Sequence, residues 1–211
     1  MSSLYLITPR AIDLAVFPAE LDAALAAVPV ASLLIAPEGV SEMVLQRIAE
    51  VLTPIGQRHG AAVLVAGDSR AAGRAKADGI HVASGVADLK TAVAAFQPQR
   101  IVGAGNLKTR HDAMEAAEAN ADYVLFGMIE APETPDVHPK TLELAEWWAP
   151  VFQVPCVALA GSDLASVDAL AEIGVDFVAL RDAVWSDPRG PAAALEEAAR
   201  RIAESAPETV A

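Results

Sequence analysis

Cysteine is scarce in this sequence and several motifs are missing, and each lack argues against a class of protein. The chain has one cysteine, Cys156, so no disulfide can form within it; a single thiol in an apolar run is usually a small buried side chain. No uninterrupted apolar segment reaches the roughly 18 residues that suggest a membrane-spanning helix. The H-E-x-x-H, paired-cysteine and G-x-S-x-G patterns are also missing, which leaves zinc hydrolysis and a serine-hydrolase elbow without support.

Positive charge is scarce as well. The chain has 15 Lys and Arg residues against 28 Asp and Glu residues, a formal net charge of -13. Nucleic acid needs a basic surface, so it is not expected as a partner. A small phosphorylated ligand is compatible with this charge, because backbone N–H groups can hold a phosphate. No basic segment followed by an apolar run opens the sequence, so we expect a cytoplasmic protein without a membrane partner.

The sequence does contain a regular alternation of short apolar runs and longer stretches with helical spacing. Parallel strands need crossover connections, so this alternation predicts a parallel sheet covered by helices. Eight such units in 211 residues predict a single (β/α)8 TIM barrel over residues 1–205, followed by a disordered tail at 206–211. The predicted strands are residues 4–7, 33–35, 62–65, 79–82, 101–103, 123–126, 156–159 and 177–180.

An aspartate directly precedes three of the predicted strands. Asp78, Asp122 and Asp176 stand at the same position before strands 4, 6 and 8, which indicates a turn or capping role. Active sites of this fold lie at the opposite, carboxyl-terminal ends of the strands. We therefore expect these residues to serve stability and not catalysis.

The loops after strands 7 and 8 carry the main candidates for ligand binding, because in this fold they often form a phosphate site. Gly161 would let the backbone approach a phosphate, and Ser162 would either bond an oxyanion or cap the following helix. Arg181 would add positive charge or pair with Asp182. The alternative interpretation is an ordinary turn with a helix cap.

Other polar residues lie at the end of strand 4 or directly after strands 3 and 5. His81 would bind substrate or transfer a proton, or it would be a structural hydrogen-bonding group. Asp68 would either ligate Mg²⁺ through one carboxylate or cap the next helix. Asn106 is a hydrogen-bond donor to which the pattern assigns no role.

The loop after strand 6, residues 127–140, is the longest, and long loops in compact domains are often functional. Its charged residues would reach a ligand when the loop closes or would remain solvated. They are Glu130, Glu133, Asp136, His138 and Lys140.

Several segments together resemble the thiamine phosphate synthase family, including its thiazole tautomerase-like branch. The order and spacing of these segments carry the resemblance, which covers nearly the whole chain. The segments are LYLIT at 4–8, ADGIHV at 77–82, ADYVLFG at 121–127 and VPCVALAG at 154–161.

This resemblance implies an enzyme of thiamine biosynthesis that joins a pyrimidine diphosphate to a thiazole phosphate and releases pyrophosphate with the help of Mg²⁺. The diphosphate and its metal would face the ends of strands 3 and 4, near Asp68, and His81 and Lys140 are the candidate catalytic residues. The candidate substrate-binding residues are Gly127, Ala160, Gly161, Ser162, Arg181, Asp182 and Asn106. Whether the protein forms a homo-oligomer is left open.

Parts of the family pattern are missing. A Gln-x-Arg-x-Lys-like patch usually ends the second strand, whereas residues 33–38 read LLIAPE and contain no cation. The family's Asn-Asp-Arg is replaced by AGD at 66–68, and a synthase would need substitute cations such as Arg10 or Lys140. Two alternatives therefore stay open: a thiazole phosphate isomerase with His81 as base, and a phosphate-binding or regulatory barrel without turnover.

Overall fold

The computed structural model describes residues 2–205, in which eight parallel strands close into one barrel in the order β1 to β8. The strands are β1 (Ser3–Ile7), β2 (Ser32–Ile35), β3 (Ala62–Ala66), β4 (Gly79–Val82), β5 (Ile101–Ala104), β6 (Tyr123–Phe126), β7 (Cys156–Leu159) and β8 (Phe177–Leu180). The helices are α1 (Phe17–Ala27), α2 (Glu42–Arg58), α3 (Ser69–Ala75), α4 (Val86–Phe96), α5 (Arg110–Glu118), α6 (Pro139–Trp148), α7 (Ser166–Ile173), α8 (Asp182–Trp185) and α9 (Pro191–Ser205). The predicted (β/α)8 barrel is confirmed.

The strand boundaries agree with the prediction to within one residue, whereas two helices after the last strands do not. Helix α7 begins at Ser166, so Ser162 does not cap it and that prediction is wrong. The intervening segment turns through Asp163, whose carboxylate accepts the N–H of Ala165 at 2.9 Å. Helix α8 is a single turn, which is too short to carry a periodic pattern. The predicted tail, residues 206–211, lies outside the described residues.

Side chains alternate between the two faces of each strand. Tyr5 and Ile7 of β1 belong to a cluster that fills the barrel interior, whereas Leu4 and Leu6 belong to the layer between barrel and helices. Branched and small apolar residues dominate both layers, as is usual for closed eight-stranded barrels. The interior is packed, so a ligand has room only at the rim. Within residues 2–205, no helix is long and apolar enough to cross a membrane.

The three aspartates that precede β4, β6 and β8 make the same contact at the amino-terminal end of the barrel. Each carboxylate accepts a backbone N–H from the preceding strand at 2.7 Å: Asp78 from Val63, Asp122 from Val102 and Asp176 from Cys156. Each bond joins two neighbouring strands near their beginnings. The predicted turn or capping role is therefore a structural one, and the opposite rim is left for ligand binding.

Candidate active site at the carboxyl-terminal rim

Residues 127–138, which we name the strap, connect β6 to α6 and lie across the carboxyl-terminal rim. The N–H groups of Ser162 and Asp163 donate to strap carbonyls at 2.8 and 3.1 Å. A Cβ atom at Gly161 would overlap with the carbonyl of Pro135, so a glycine is needed for the strap to lie this close. Backbone donors in the predicted phosphate-binding loop are thus bonded to the strap.

Arg181, directly after β8, is buried beneath the strap, with 1% of its side chain exposed. Its guanidinium donates to three backbone carbonyls: Thr8 at 2.9 Å, Ala36 at 2.6 Å and Ile129 of the strap at 2.5 Å. Burial lowers the pKa of this guanidinium, and the nearby positive charge of Arg10 lowers it further. Arg181 therefore fastens three rim loops together, and most of its N–H donors are already bonded within the protein.

Arg10, in the loop after β1, is the centre of a charged cluster at the rim. Its Nη1 donates to both carboxylate oxygens of Asp182, at 2.6 and 2.7 Å, and its Nε lies 2.9 Å from the carboxylate of Glu38. Its Nη2 donates to the strap carbonyl of Ala131 at 2.7 Å. Asp182 is thus hydrogen-bonded to Arg10 and not to Arg181, the partner that the sequence suggests.

Glu133 brings a carboxylate from the strap into this cluster, although only 3% of its side chain is exposed. Its Oε2 accepts the N–H of Asp182 at 3.2 Å, and its Oε1 lies 3.8 Å from Nη2 of Arg10. This Oε1 has no hydrogen-bond partner among the described residues. Burial, with the negative charge of Asp182, raises the pKa of Glu133 to about 7. The rim therefore holds a buried carboxylate that is incompletely bonded and titrates near neutral pH.

A cavity of about 170 Å³ lies between the strap and the ends of β6 and β7. Its lining is mostly apolar and includes Gly127, Ala160 and Gly161, with Lys108 and Lys140 among its polar residues. The ammonium of Lys140 is exposed and lies 3.0 Å from the carboxylate of Glu143. Four of the predicted site residues, Gly127, Lys140, Ala160 and Gly161, therefore meet at one cavity.

His81 does not line this cavity and lies in the barrel wall, with 1% of the residue exposed. Its Nδ1 is 2.8 Å from the hydroxyl of Tyr123, which is in turn 2.9 Å from the hydroxyl of Tyr5. Burial lowers the pKa of His81 to about 4, so its imidazole is neutral at pH 7. The hydrogen-bonding role is therefore observed, and a catalytic role for His81 stays a prediction.

Sequence similarity to known proteins identifies the family of this chain. The sequence matches the family profile of thiamine monophosphate synthase over residues 4–184. The chain belongs to this family. The thiamine-phosphate synthase of Erythrobacter litoralis is 38% identical over 202 residues, which cover 93% of this chain and 94% of that protein. The thiamine-phosphate synthase of Hyphomonas neptunium is 36% identical over 198 residues, which cover 91% of this chain and 90% of that protein.

The barrel of this thiamine monophosphate synthase family member also matches solved structures. Thiamine phosphate pyrophosphorylase from Pyrococcus furiosus aligns with a TM-score of 0.80 and 21% identity, covering 96% of both chains. A 3-hexulose-6-phosphate synthase aligns with a TM-score of 0.68 and 18% identity, covering 94% of this chain and 99% of that one. At such identities, these two likenesses show the shared fold alone.

The part of the rim to which the thiamine phosphate synthase resemblance assigns Mg²⁺ holds a helix cap. The Oδ1 atom of Asp68 accepts the N–H groups of Arg70 and Ala71, at 2.8 and 3.0 Å, and so caps α3. Within residues 2–205, no group of three or more His, Cys, Asp and Glu side chains is arranged to hold a metal ion. The cap uses one of the two carboxylate oxygens, and Asp68 as a metal ligand stays a prediction.

Asn106 lies apart from the strap. It has a left-handed backbone conformation with φ of 56°, and its Nδ2 donates to the carbonyl of Ala83 at 3.2 Å. It lines a second cavity together with Ser84 and Gly105. Asn106 thus joins the ends of β4 and β5, and its predicted contact with substrate stays untested.

Sequence reasoning did not single out Glu38, and it grouped Glu133 with loop charges that are usually solvated. One signal could have found part of the cluster. Arg10, Glu38 and Asp182 each follow a predicted strand closely, and those strands, β1, β2 and β8, are neighbours in a closed barrel. Charges of opposite sign on adjacent strand ends are placed to pair. The burial of Glu133 has no comparable signal, because it depends on how the strap folds.

Proposed function

We propose that this protein is a thiamine phosphate synthase, which joins a pyrimidine diphosphate to a thiazole phosphate and releases pyrophosphate. The observation that carries the proposal is the cavity under the strap, in a chain 38% identical to a curated synthase. Apolar walls suit a flat heterocycle, and the ammonium groups of Lys108 and Lys140 suit its phosphate.

Both substrates carry phosphate groups, so the rim must supply positive charge. Residues 33–38 provide no cation at the end of β2, but Arg10 lies beside that strand end, 2.9 Å from Glu38. We assign to Arg10 the task of stabilising the departing diphosphate. Negative charge grows on the leaving group as its bond breaks, and a cation already in place lowers the free energy of that transition state.

The backbone donors after β7 would hold the thiazole phosphate once the strap has moved. In the closed arrangement, the N–H groups of Ser162 and Asp163 are bonded to strap carbonyls. Mg²⁺ would enter bound to the diphosphate, since such complexes commonly need only one or two protein carboxylates, and Asp68 would be its protein ligand.

The test is a calorimetric titration with thiazole phosphate, followed by pyrimidine diphosphate and Mg²⁺. We expect both ligands to bind, and mixing them to yield pyrophosphate and thiamine phosphate in equal amounts. Binding of both ligands without any pyrophosphate release would contradict the proposal.

Two glycine substitutions, one at the proposed site and one away from it, test where the thiazole phosphate binds. Gly161→Asp places a negatively charged side chain where the strap and the proposed phosphate site meet, and we expect thiazole phosphate to bind at least about tenfold more weakly, or 1.4 kcal/mol. Gly73→Asp is the control, because a Cβ at Gly73 meets only the side chain of Arg100 at an ordinary 3.5 Å. Unchanged binding in Gly161→Asp would mean that the phosphate binds elsewhere.

The second candidate function is a phosphate-binding barrel without turnover, and the closed strap favours it. In that case, the titration would show thiazole phosphate binding alone. The isomerase alternative has less support, because a His81 base with 1% exposure is buried away from the strap cavity.

A further inference from the structure

The strap satisfies the backbone donors of the rim in two different ways. The N–H groups of Ser162 and Asp163 are bonded to neutral carbonyls, whereas the N–H of Asp182 is bonded to the carboxylate of Glu133 at 3.2 Å. A carbonyl or hydroxyl would satisfy a backbone N–H without burying a charge. The negative charge at this one position therefore needs a separate explanation.

The position of Glu133 is also unfavourable for a carboxylate. Only 3% of its side chain is exposed, and its Oε1 is 3.8 Å from Arg10, too far for a hydrogen bond. Burying a charge costs free energy unless it is paired and hydrogen-bonded. The cluster around Arg10 already contains the carboxylates of Glu38 and Asp182, at 2.9 and 2.6 Å. Arg10 is thus already paired with two carboxylates, and Glu133 adds a third negative charge beside it.

A cation beside a free backbone N–H is the arrangement that binds phosphate groups, and here a carboxylate fills it. We propose that Glu133 is a resident anion that occupies a phosphate position between Arg10 and the N–H of Asp182, and that a substrate phosphate binds by displacing it. This proposal rests on the proposed function in one respect, that the ligand carries a phosphate group. It does not require turnover.

The exchange also explains how the closed rim would open. A phosphate has more acceptor oxygens and more negative charge than a carboxylate, so it can accept from the N–H of Asp182 and from Arg10 at once, whereas Oε1 of Glu133 lies 3.8 Å from Arg10. Displacing Glu133 moves the strap residues beside it, and Thr134 and Pro135 are the ones whose carbonyls cover Ser162 and Asp163. The first phosphate contact would thus free the other backbone donors.

The exchange should depend on pH. The charged groups near Glu133 are Arg10, Arg181 and Asp182, and Glu38 pairs with both arginines. The cavity that Glu133 lines also contains Lys108, Asp136, His138 and Lys140. Protonated Glu133 is a weaker competitor for Arg10, and its pKa is raised to about 7. Anion binding should therefore strengthen as pH falls from 8 to 6.

Sulfate is the probe, because it is tetrahedral like phosphate and keeps its two negative charges over this pH range. Its affinity is measured by calorimetry at constant ionic strength for the wild type, Glu133→Gln and Glu130→Gln. Glu130 is an exposed strap residue, so its variant removes the same charge outside the cluster. We expect Glu133→Gln to bind sulfate about tenfold more tightly at pH 8, because no resident anion must be displaced. Glu130→Gln should match the wild type.

The pH profile gives a second measurement that needs no variant. Sulfate affinity of the wild type should rise several-fold between pH 8 and pH 6, and Glu133→Gln should lose most of that rise, which separates Glu133 from His138. Equal or weaker sulfate binding by Glu133→Gln, or a flat wild-type profile, would overturn the proposal. Neither outcome depends on synthase activity, so an inactive protein could still confirm the exchange, and an active one could still refute it.

Discussion

The two ends of the barrel are held together by different means. At the amino-terminal end, one bond of 2.7 Å from an aspartate to a backbone N–H recurs three times, between residues only 15 to 20 positions apart. At the carboxyl-terminal end, Arg10 bonds Asp182 and Arg181 bonds Thr8, across 172 and 173 positions. The first end spreads its stability over equivalent contacts, whereas the second concentrates it in a few side chains that ligand binding must also use.

The largest effect is expected from Arg181→Met. This change leaves the carbonyls of Thr8, Ala36 and Ile129 without their donor, and it removes positive charge from a cluster of carboxylates. We expect the free energy of unfolding to fall by about 3–5 kcal/mol, the usual cost of breaking a buried charged network from one side. Urea denaturation measures it.

The matched control for that change is Arg189→Met, which removes an exposed guanidinium paired with Asp187. Its cost should stay at or below about 1 kcal/mol, as for other surface ion pairs. Similar losses in the two variants would mean that the rim does not concentrate stability in Arg181.

The next effect is expected from Asp176→Ala at the opposite end. The N–H of Cys156 loses a charged acceptor, so the free energy of unfolding should fall by about 1.5–3 kcal/mol. Asp176→Asn keeps an acceptor oxygen and should lose less. Turnover per folded molecule should not change in either variant, because active sites of this fold lie at the other end. A lower kcat at full folding would contradict the division between the two ends.

The contacts at the amino-terminal end of the barrel can be predicted from the sequence better than those at the carboxyl-terminal end, for a physical reason. Strand positions and the role of Asp78, Asp122 and Asp176 follow from patterns within about one βα unit, where spacing along the chain fixes spacing in space. The strap cavity was also within reach, since Gly127, Ala160 and Gly161 follow neighbouring strands.

The rim cluster could not be predicted in the same way. The acceptors of Arg181 are backbone carbonyls, which every residue has, so no side-chain type marks them. Glu133 differs in sequence context little from Glu130, yet one is buried and the other exposed, because the fold of the strap decides which side chain turns inward. The capping alternative for Ser162 is wrong because the turn before α7 uses Asp163 and Ser166 instead.

Glu133→Gln should raise the free energy of unfolding by about 2 kcal/mol at pH 8 and by less at lower pH. The pKa of Glu133 is about 7 in the folded protein and near 4.5 in the unfolded chain, so protonation favours the folded state. Its stabilising contribution is complete below pH 4.5 and is lost as pH rises through 7, which makes ionised Glu133 destabilising at pH 8. The variant should be more stable than the wild type at pH 8, by an amount that shrinks towards pH 5. Urea denaturation at both pH values checks this, and a constant difference would contradict it.

The smallest effect is expected from Gln97→Ala at the amino-terminal end. The Gln97 amide donates to the carboxylate of Asp122 at 2.8 Å, but it is exposed, so water can replace it and the free energy of unfolding should fall by about 0.5 kcal/mol or less. Asp122→Ala removes the partly buried, charged acceptor of the Val102 N–H and should cost several times more in the same urea experiment. If the two variants were equally costly, Asp122 would work as part of a side-chain network like that around Arg10, and the contrast between the two ends of the barrel would not hold.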